Sequence, residues 1–320
     1  MQRILAHHNT TDLVNTVFFL LLTVALIVWS ETIALWWLYA LANVAIVAAI
    51  GMTARFAARR GPRWQLAHGF YMMALIPVAF KELYVLVPAI HPVDFDAALI
   101  SIDRLMFGCD PTHCLMTIAH PVLTEILQIA YGSYYLLPFI LAVDLYRRKR
   151  IKAFKHVFLF VMLGFYLSYL GYVAVPAIGP RFTLHDFAET DAELPGLVVT
   201  AALRAYTNTG ESAPPGTEYP AAVIQRDVFP SGHTEITLLV MLLAFRYRAR
   251  SRWFLLVTGS LLIFGTVYLR YHYVIDLIGG ALFAWLTTQL APLIDHWWER
   301  WKCCRSLPLD DGLGEEPVDA

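Results

Sequence analysis

Residues 229–233 read Phe-Pro-Ser-Gly-His and stand where a polar stretch gives way to an apolar one. A proline in the first turn favours a helix that begins here, and the first backbone N–H groups of a helix lack partners within it. Such a helix end binds anions readily. Gly232 allows a phosphate to approach closely, Ser231 adds a hydroxyl donor, and His233 adds a group that can give a proton. The run therefore predicts an anion site with a general acid.

A second histidine, His272, follows about one helical hairpin later, between Arg270 and Asp276. If the helix after His233 crosses a membrane and the next one returns, both histidines reach the same face. On one helix His272 and Asp276 share a face, so the carboxylate can hold one ring nitrogen protonated while the other attacks. The alternative is a structural His–Asp pair beside an arginine that faces lipid headgroups. Two such motifs at one membrane face favour a functional site.

The elements that must carry these residues are membrane helices. Eight stretches are apolar over the roughly 17 to 25 residues that a crossing needs. Lys and Arg cluster after the second, fourth, sixth and eighth of them, and the positive-inside rule puts such clusters in the cytoplasm. Both termini are then cytoplasmic, and the histidines lie on the extracytoplasmic side of a plasma or inner membrane. The predicted spans are 13–29, 33–52, 65–88, 122–145, 153–175, 230–245, 253–270 and 273–295.

Composition agrees with a polytopic membrane protein. Hydrophobic residues make up 58% of the 320 residues, charged residues make up 15%, and the mean hydropathy is +0.56. The formal charge of −1 gives no reason to expect nucleic acid as a partner. We therefore expect an all-α transmembrane bundle. Its predicted parts are a helix pair at 1–63, a catalytic membrane domain at 64–306 and a disordered cytoplasmic tail at 307–320.

Two long segments should lie outside the membrane, on the side of the histidines. In residues 91–121, apolar side chains recur at helical spacing against charged ones, which predicts a helix lying in the interface. Residues 176–229 are either a lid over a binding site or a plain solvated connector. Arg181 can clamp phosphate oxygens, although an isolated arginine at this position more commonly faces headgroups. We expect Cys109 and Cys114 to be unpaired apolar fillers rather than disulfide partners.

The Pro-Ser-Gly-His run, followed one hairpin later by His272 and Asp276, resembles the type 2 phosphatidic acid phosphatase (PAP2) superfamily. Within it, the chain is similar to the branch of inositol phosphorylceramide synthases and their bacterial relatives, over about residues 94–280. Further matches to that branch lie at residues 103–108, 128–138 and 268–272.

The resemblance implies a covalent mechanism at phosphorus. His272 would form a phosphohistidine, His233 would protonate the leaving alcohol, and Asp276 would orient His272. Ser231, Gly232 and Arg181 would hold the phosphate, and the reaction would need no metal and no other cofactor.

Two positions depart from the family pattern. Its first motif has a lysine seven residues before the arginine, where this chain has Ala174 before Arg181. Its third motif has an arginine six residues before the histidine, where this chain has Thr266. The missing positive charge must come from elsewhere, and Arg270 is the closest candidate for binding the phosphate.

The sequence thus predicts a membrane enzyme that acts on a lipid phosphate ester. If water enters the site it is a phosphatase, and if a lipid alcohol is seated and water is excluded it is a phosphotransferase. The branch resemblance favours headgroup transfer, as in inositol phosphorylceramide synthases, over hydrolysis of a phosphatidate or a polyprenyl phosphate. The alternative from another class is a non-enzymatic lipid-binding or transport protein, which would carry polar residues across several spans.

Overall fold

The computed structural model describes residues 7–59 and 62–305, except for the side chains of residues 62, 63 and 65. Within these ranges every regular element is a helix, so the predicted all-α fold is confirmed. The predicted tail at 307–320 lies outside the described residues. The longer helices are α1 (Thr10–Val28), α2 (Trp36–Arg59), α3 (Pro62–Ile90), α4 (Asp96–Phe107), α5 (Pro121–Gly132), α6 (Leu136–Arg147), α7 (Ile151–Ala174), α8 (Thr200–Gly210), α9 (Gly232–Arg246), α10 (Arg252–Tyr268) and α11 (Val274–Cys303).

Each of the eight predicted spans coincides with a helix or a bent pair of helices. Among the described residues, five helices are long and apolar enough to cross a membrane, namely α1, α2, α3, α7 and α11. The pair α5 and α6, bent by 58°, makes a sixth if it forms one span. Helix α9 has 15 residues, fewer than the roughly 17 to 25 that a crossing needs, and α10, with 17, is at the lower end of that range. The chain is therefore an integral membrane protein, and the count of eight spans stays a prediction.

The chain forms two compact units by the density of its internal contacts. Among the described residues, one comprises 7–59, 62–90, 142–167 and 285–305, and the other comprises 91–141 and 168–284. In the first unit, the Tyr166 hydroxyl donates to Asn15 at 3.0 Å, and Asn43 donates to Glu82 at 2.7 Å. The predicted division at residue 63 stays a prediction. All candidate catalytic and phosphate-binding residues belong to the second unit.

In the second unit, α4 buries both of its aspartates together with Leu99 and exposes several of its apolar side chains. The Asp103 carboxylate is 2% exposed and accepts the backbone N–H groups of Val274 and Ile275, at 2.8 and 2.9 Å. Asp96 accepts those of Ile178 and Gly179, at 3.0 and 2.8 Å. The side chain of Leu105, by contrast, is 87% exposed. This is the reverse of a soluble amphipathic helix and agrees with an apolar environment around α4.

The segment at 176–229 packs into the second unit, so its interpretation as a plain solvated connector is wrong. It contains α8 and the helical turns Pro180–Thr183, Thr190–Glu193 and Pro220–Val223. The Glu125 carboxylate in α5 accepts the N–H groups at the start of α8, including that of Val199 at 2.7 Å, and the Thr200 hydroxyl at 2.6 Å. A carboxylate at a helix N-terminus satisfies donors that have no intrahelical partner.

Cys109 and Cys114 are bonded to each other, on either side of the start of the short helix Pro111–Leu115. Their interpretation as unpaired apolar fillers is therefore wrong. Arg104 and Asp110 form an ion pair beside this bridge, with 2.7 Å between Nε and Oδ1. The guanidinium of Arg104 lowers the pKa of the Asp110 carboxyl.

The sidedness of the molecule is open to a direct test with single cysteines. Glu218 and Arg250 are both exposed and lie in segments that the charge clusters assign to opposite sides. In a Cys303→Ser/Cys304→Ser background, we expect a membrane-impermeant maleimide to label Glu218→Cys in sealed cells and Arg250→Cys only after permeabilisation. The reverse pattern would invert the predicted topology, and both variants should label equally in detergent.

Candidate active site

His233 and His272 face each other in the second unit. His233 lies in the first turn of α9, and His272 lies in the turn between α10 and α11. The Nε2 atom of His272 is 3.4 Å from Nδ1 of His233, and the ring centroids are 5.5 Å apart. The structure thus brings together the two imidazoles that the sequence places on separate helices.

The run at 229–233 folds as a capped helix start, preceded by a cis peptide bond between Phe229 and Pro230. The Ser231 hydroxyl accepts the N–H of Thr234 at 3.2 Å, which satisfies one of the free donors of the first turn. The Ser231 N–H donates to the Asp276 carbonyl at 2.9 Å. The expectation that this amide points at a bound anion is therefore wrong, because it joins α9 to the first turn of α11.

His272 is held by a backbone carbonyl as well as by Asp276. Its Nδ1 lies 3.0 Å from the Val228 carbonyl oxygen and 3.5 Å from Oδ2 of Asp276, which also accepts the Tyr273 N–H at 2.7 Å. The prediction that His272 and Asp276 share a helix face is wrong, since α11 begins at Val274. Because both neighbours of Nδ1 are acceptors, this nitrogen carries the proton and Nε2 keeps its lone pair.

A column of planar groups fixes the position of the histidine pair. The Tyr131 ring stacks on His233 at 4.5 Å and on Tyr271 at 4.2 Å between centroids. The Tyr134 ring packs against His233 at 4.2 Å, and its hydroxyl donates to the Gly232 carbonyl at 3.0 Å. The Arg181 guanidinium lies 4.8 Å from the centre of the Tyr271 ring. These contacts hold His233 against rotation and place one cation at the end of the column.

Arg181 is 6% exposed and already has partners on α8 and beside it. Its Nη1 donates to Asn208 at 2.9 Å, and its Nη2 pairs with the Glu211 carboxylate. Its Nε is buried and has no hydrogen-bond partner among the described residues. Burial lowers the pKa of the guanidinium, while the nearby Asp227 carboxylate raises it. A phosphate therefore meets an arginine that is partly neutralised and has one donor to spare.

Arg270 is fully buried and has a positive φ of 68°. Its Nη1 pairs with Glu193, and its Nη2 lies 2.7 Å from the Met116 sulfur. Nothing in these contacts directs the guanidinium toward the histidines, so its role in binding phosphate stays a prediction without geometric support.

Sequence reasoning missed the groups that surround the imidazoles. Burial lowers the pKa of His272 to about 4, the Asp227 carboxylate raises it, and the Arg181 guanidinium lowers it. Neither Asp227 nor the Val228 carbonyl belongs to a motif in the sequence, although both directly precede the Pro-Ser-Gly-His run. The stacking of Tyr131 depends on a contact over about a hundred residues, for which the sequence carries no local signal.

A family model described as the PAP2 superfamily matches residues 97–290. This chain belongs to the PAP2 superfamily. The matched range covers more than half of the chain and contains every candidate site residue. A search of curated proteins and a search of solved structures each found no match.

Membership in the PAP2 superfamily identifies a membrane lipid phosphatase or phosphotransferase in general. The superfamily acts on lipid phosphate substrates, which is consistent with a lipid substrate for this chain. The non-enzymatic alternative raised by the sequence is therefore not favoured. The residue roles within the site, and the choice between hydrolysis and transfer, go beyond what membership establishes.

Gly232 offers a sharp test of how tightly this PAP2 site is packed. A Cβ at Gly232 would lie 2.4 Å from the Tyr172 hydroxyl oxygen. We expect Gly232→Ala to lower stability by about 1–3 kcal/mol, through overpacking, and to reduce activity. Thermal unfolding in detergent measures the first effect. A Cβ at Gly210 would meet no atom within 4 Å, so Gly210→Ala is the matched control. Tyr172→Phe should partly rescue Gly232→Ala, and no rescue would contradict the contact.

Proposed function

We propose that the chain transfers a phosphoryl-containing headgroup between lipids through a phosphohistidine on His272. The observation that carries this is the 3.4 Å approach of His272 Nε2 to His233 Nδ1, with Nδ1 of His272 held by acceptors. A nucleophile and a proton carrier on opposite sides of one phosphorus are what two-step displacement needs. We also propose Asp276 as a positioning residue for His272.

In the first step, the lone pair on Nε2 of His272 forms a bond to phosphorus. The bond from phosphorus to the oxygen of the leaving alcohol breaks, and that oxygen takes a proton from the imidazolium of His233, which becomes a neutral imidazole. In the second step, His233 accepts the proton of the incoming alcohol or water, whose oxygen attacks phosphorus and releases His272. Proton and charge balance over the cycle, so neither a metal nor another cofactor is needed.

The charges around the site favour a donor with one negative charge. Arg181 pairs with Glu211, and Asp227 adds a further carboxylate that acts on His272. Burying a second, uncompensated negative charge in such a site is costly. A phosphodiester has one negative charge, whereas a phosphomonoester has up to two near neutral pH. This supports a phosphodiester lipid as donor and therefore headgroup transfer.

The sequence resemblance to the branch of inositol phosphorylceramide synthases points in the same direction. A donor of that class has a polyol headgroup on a phosphodiester, and its acceptor is a lipid alcohol such as a ceramide or a diacylglycerol. We propose that the site works on the extracytoplasmic side, as the charge clusters predict. Glu211 lies next to Arg181 and can accept hydrogen bonds from headgroup hydroxyls.

A donor panel tests this proposal. The purified protein in detergent is given a phosphatidylinositol, a phosphatidylglycerol, a phosphatidate or a polyprenyl phosphate, each with and without a ceramide or a diacylglycerol as acceptor. We expect diester donors to exchange headgroups and monoester donors to release little inorganic phosphate. His272→Ala should abolish turnover, whereas a donor that is hydrolysed equally well without acceptor would make the protein a phosphatase.

The covalent step has its own readout. Samples with a donor labelled in its phosphate, quenched in denaturant at alkaline pH because the P–N bond of a phosphohistidine is acid-labile, should retain label on the wild-type protein and none on His272→Ala. His233→Ala should retain the ability to form the phosphohistidine from a donor with an activated leaving group such as p-nitrophenol, because such a group needs no proton. Label that persists on His272→Ala would refute the assignment of the nucleophile.

The lowered pKa of His272 predicts the acid side of the pH profile. Protonation of Nε2 removes the nucleophile, so formation of the phosphohistidine from a diester donor should fall only as pH approaches about 4. With an unshifted histidine pKa, this step would instead slow as the pH falls below about 6.5. The Asp227 carboxylate raises this pKa, so Asp227→Asn should shift the acid limb further down. An acid limb near 6.5 that Asp227→Asn leaves unchanged would contradict this environment for His272.

A further inference from the structure

The first unit contains a cavity of about 680 Å³ that has no part in the chemistry above. Its lining comes from the start of α1, the end of α2, the beginning of α3 and the α6–α7 connection. None of the candidate catalytic or phosphate-binding residues lines it. A volume of this size is within the range of sites that bind small molecules.

One side of the cavity is cationic. Arg147, Lys149 and Lys155 line it, and all three belong to the basic cluster that follows the predicted fourth span. His7 also lines it, and its pKa is lowered first by burial and then by the positive charges of Arg59, Arg55 and Lys302. Several cations from separate segments therefore surround this region, which is the arrangement that attracts an anionic headgroup.

The remainder of the lining is mostly apolar, and much of it is buried. Ala54, Met72, Phe154 and Phe158 line the cavity with exposed fractions of 2, 1, 4 and 4%. An apolar wall of this kind next to a basic rim matches an amphiphile, whose chain removes the wall from water while its headgroup meets the cations.

His68 supplies a second observation that points to a ligand. Its side chain is 10% exposed, and its Nε2 lies 3.1 Å from the buried Asp12 carboxylate. Because that carboxylate accepts, Nε2 of His68 donates and Nδ1 is left for another partner. The Nδ1 atom is buried and has no hydrogen-bond partner among the described residues. His68 also lines the cavity, so a ligand hydroxyl that reaches this nitrogen would satisfy it.

We propose that this cavity binds one anionic phospholipid with a hydroxylated headgroup, with its phosphate at Arg147, Lys149 and Lys155 and an acyl chain against the apolar wall. The lipid acts here as a bound structural or regulatory ligand and not as the substrate. The proposal rests on the cavity and its lining and does not depend on the proposed headgroup transfer.

Native mass spectrometry of the delipidated full chain tests the binding. Phosphatidylglycerol, phosphatidylcholine and glycerol phosphate are titrated separately, and bound molecules are counted per chain. Apart from any phosphatidylglycerol that binds as a donor at the active site, we expect one per chain to bind at least about tenfold more tightly than phosphatidylcholine, since each basic residue near an anionic headgroup contributes severalfold. Glycerol phosphate should not bind over the same concentration range, because it has no chain for the apolar wall.

Matched variants locate the site. Arg147→Ala/Lys149→Ala should weaken phosphatidylglycerol binding about tenfold, whereas Arg246→Ala/Arg250→Ala removes the same charge from another basic cluster and should not. Ala57→Trp should block the chain without altering charge, since Ala57 lines the cavity and is 7% exposed. Equal retention of both phospholipids by the wild-type protein would overturn the proposal, even if a variant fails to fold. Equal losses in the two charge variants would also overturn it.

Discussion

The geometry of the site depends on buried carboxylates that accept backbone N–H groups. Asp103 accepts from the first residues of α11, and Asp96 accepts from the backbone at 178–179, just before Arg181. Glu125 does the same for the start of α8. The loops that carry His272 and Arg181 have no sheet or long helix to satisfy their amides. Unpaired amides away from water are costly, so these acceptors select one loop conformation over others.

That selection matters for the chemistry, because the nucleophile is in a turn rather than on a helix. Asp276 bonds to two segments. Its backbone carbonyl accepts the Ser231 N–H at the start of α9, and its side chain accepts the Tyr273 N–H at the end of the turn 270–273. The turn and the Pro-Ser-Gly-His run are thus linked by hydrogen bonds that involve no side chain of either histidine. These backbone hydrogen bonds set the distance between the two imidazoles. Holding reacting groups in place in this way raises their effective concentration at phosphorus.

The sequence predicted what local signals encode. Pro230, Ser231 and the apolar run after them predict a capped helix, and the length of the next hairpin predicts that His272 returns to the same end. The sequence has no such local signal for carboxylates that accept hydrogen bonds from distant segments of the chain. In the sequence, Asp96 and Asp103 look like the solvent-exposed face of an interfacial helix. In the fold, both are buried against the loops of the site. Glu193 and Glu211 likewise look like solvated acids in the sequence. In the fold they pair with Arg270 and Arg181.

The helix geometry expected for His272 and Asp276 failed for a related reason. A four-residue spacing predicts a shared helix face only if the helix covers both positions, and Asp103 accepts the N–H groups of Val274 and Ile275 where α11 begins. Capping from a distant segment thus decides where a helix starts. The Asp276 side chain then reaches back to the Tyr273 N–H, as an acidic residue in a first turn commonly does, and its approach to His272 follows from that contact.

The polar groups of the site already contact partners within the protein that a bound donor would replace. Attack at phosphorus needs about 3–3.5 Å between reacting atoms, and proton transfer needs about 2.6–3.2 Å on the other side. The histidine nitrogens, now 3.4 Å apart, must therefore separate by several ångströms as the phosphate enters, because phosphorus and its bond to the leaving oxygen have to fit between them. The Glu211 carboxylate occupies Nη2 of Arg181, which a phosphate oxygen would otherwise contact. Binding of a donor thus replaces one set of polar contacts with another of similar kind. The favourable free energy of binding therefore has to come from burial of the lipid's apolar part and from the unpartnered Nε of Arg181. A lipid donor can provide the apolar part, whereas inorganic phosphate cannot, so this exchange favours a lipid over inorganic phosphate in the site.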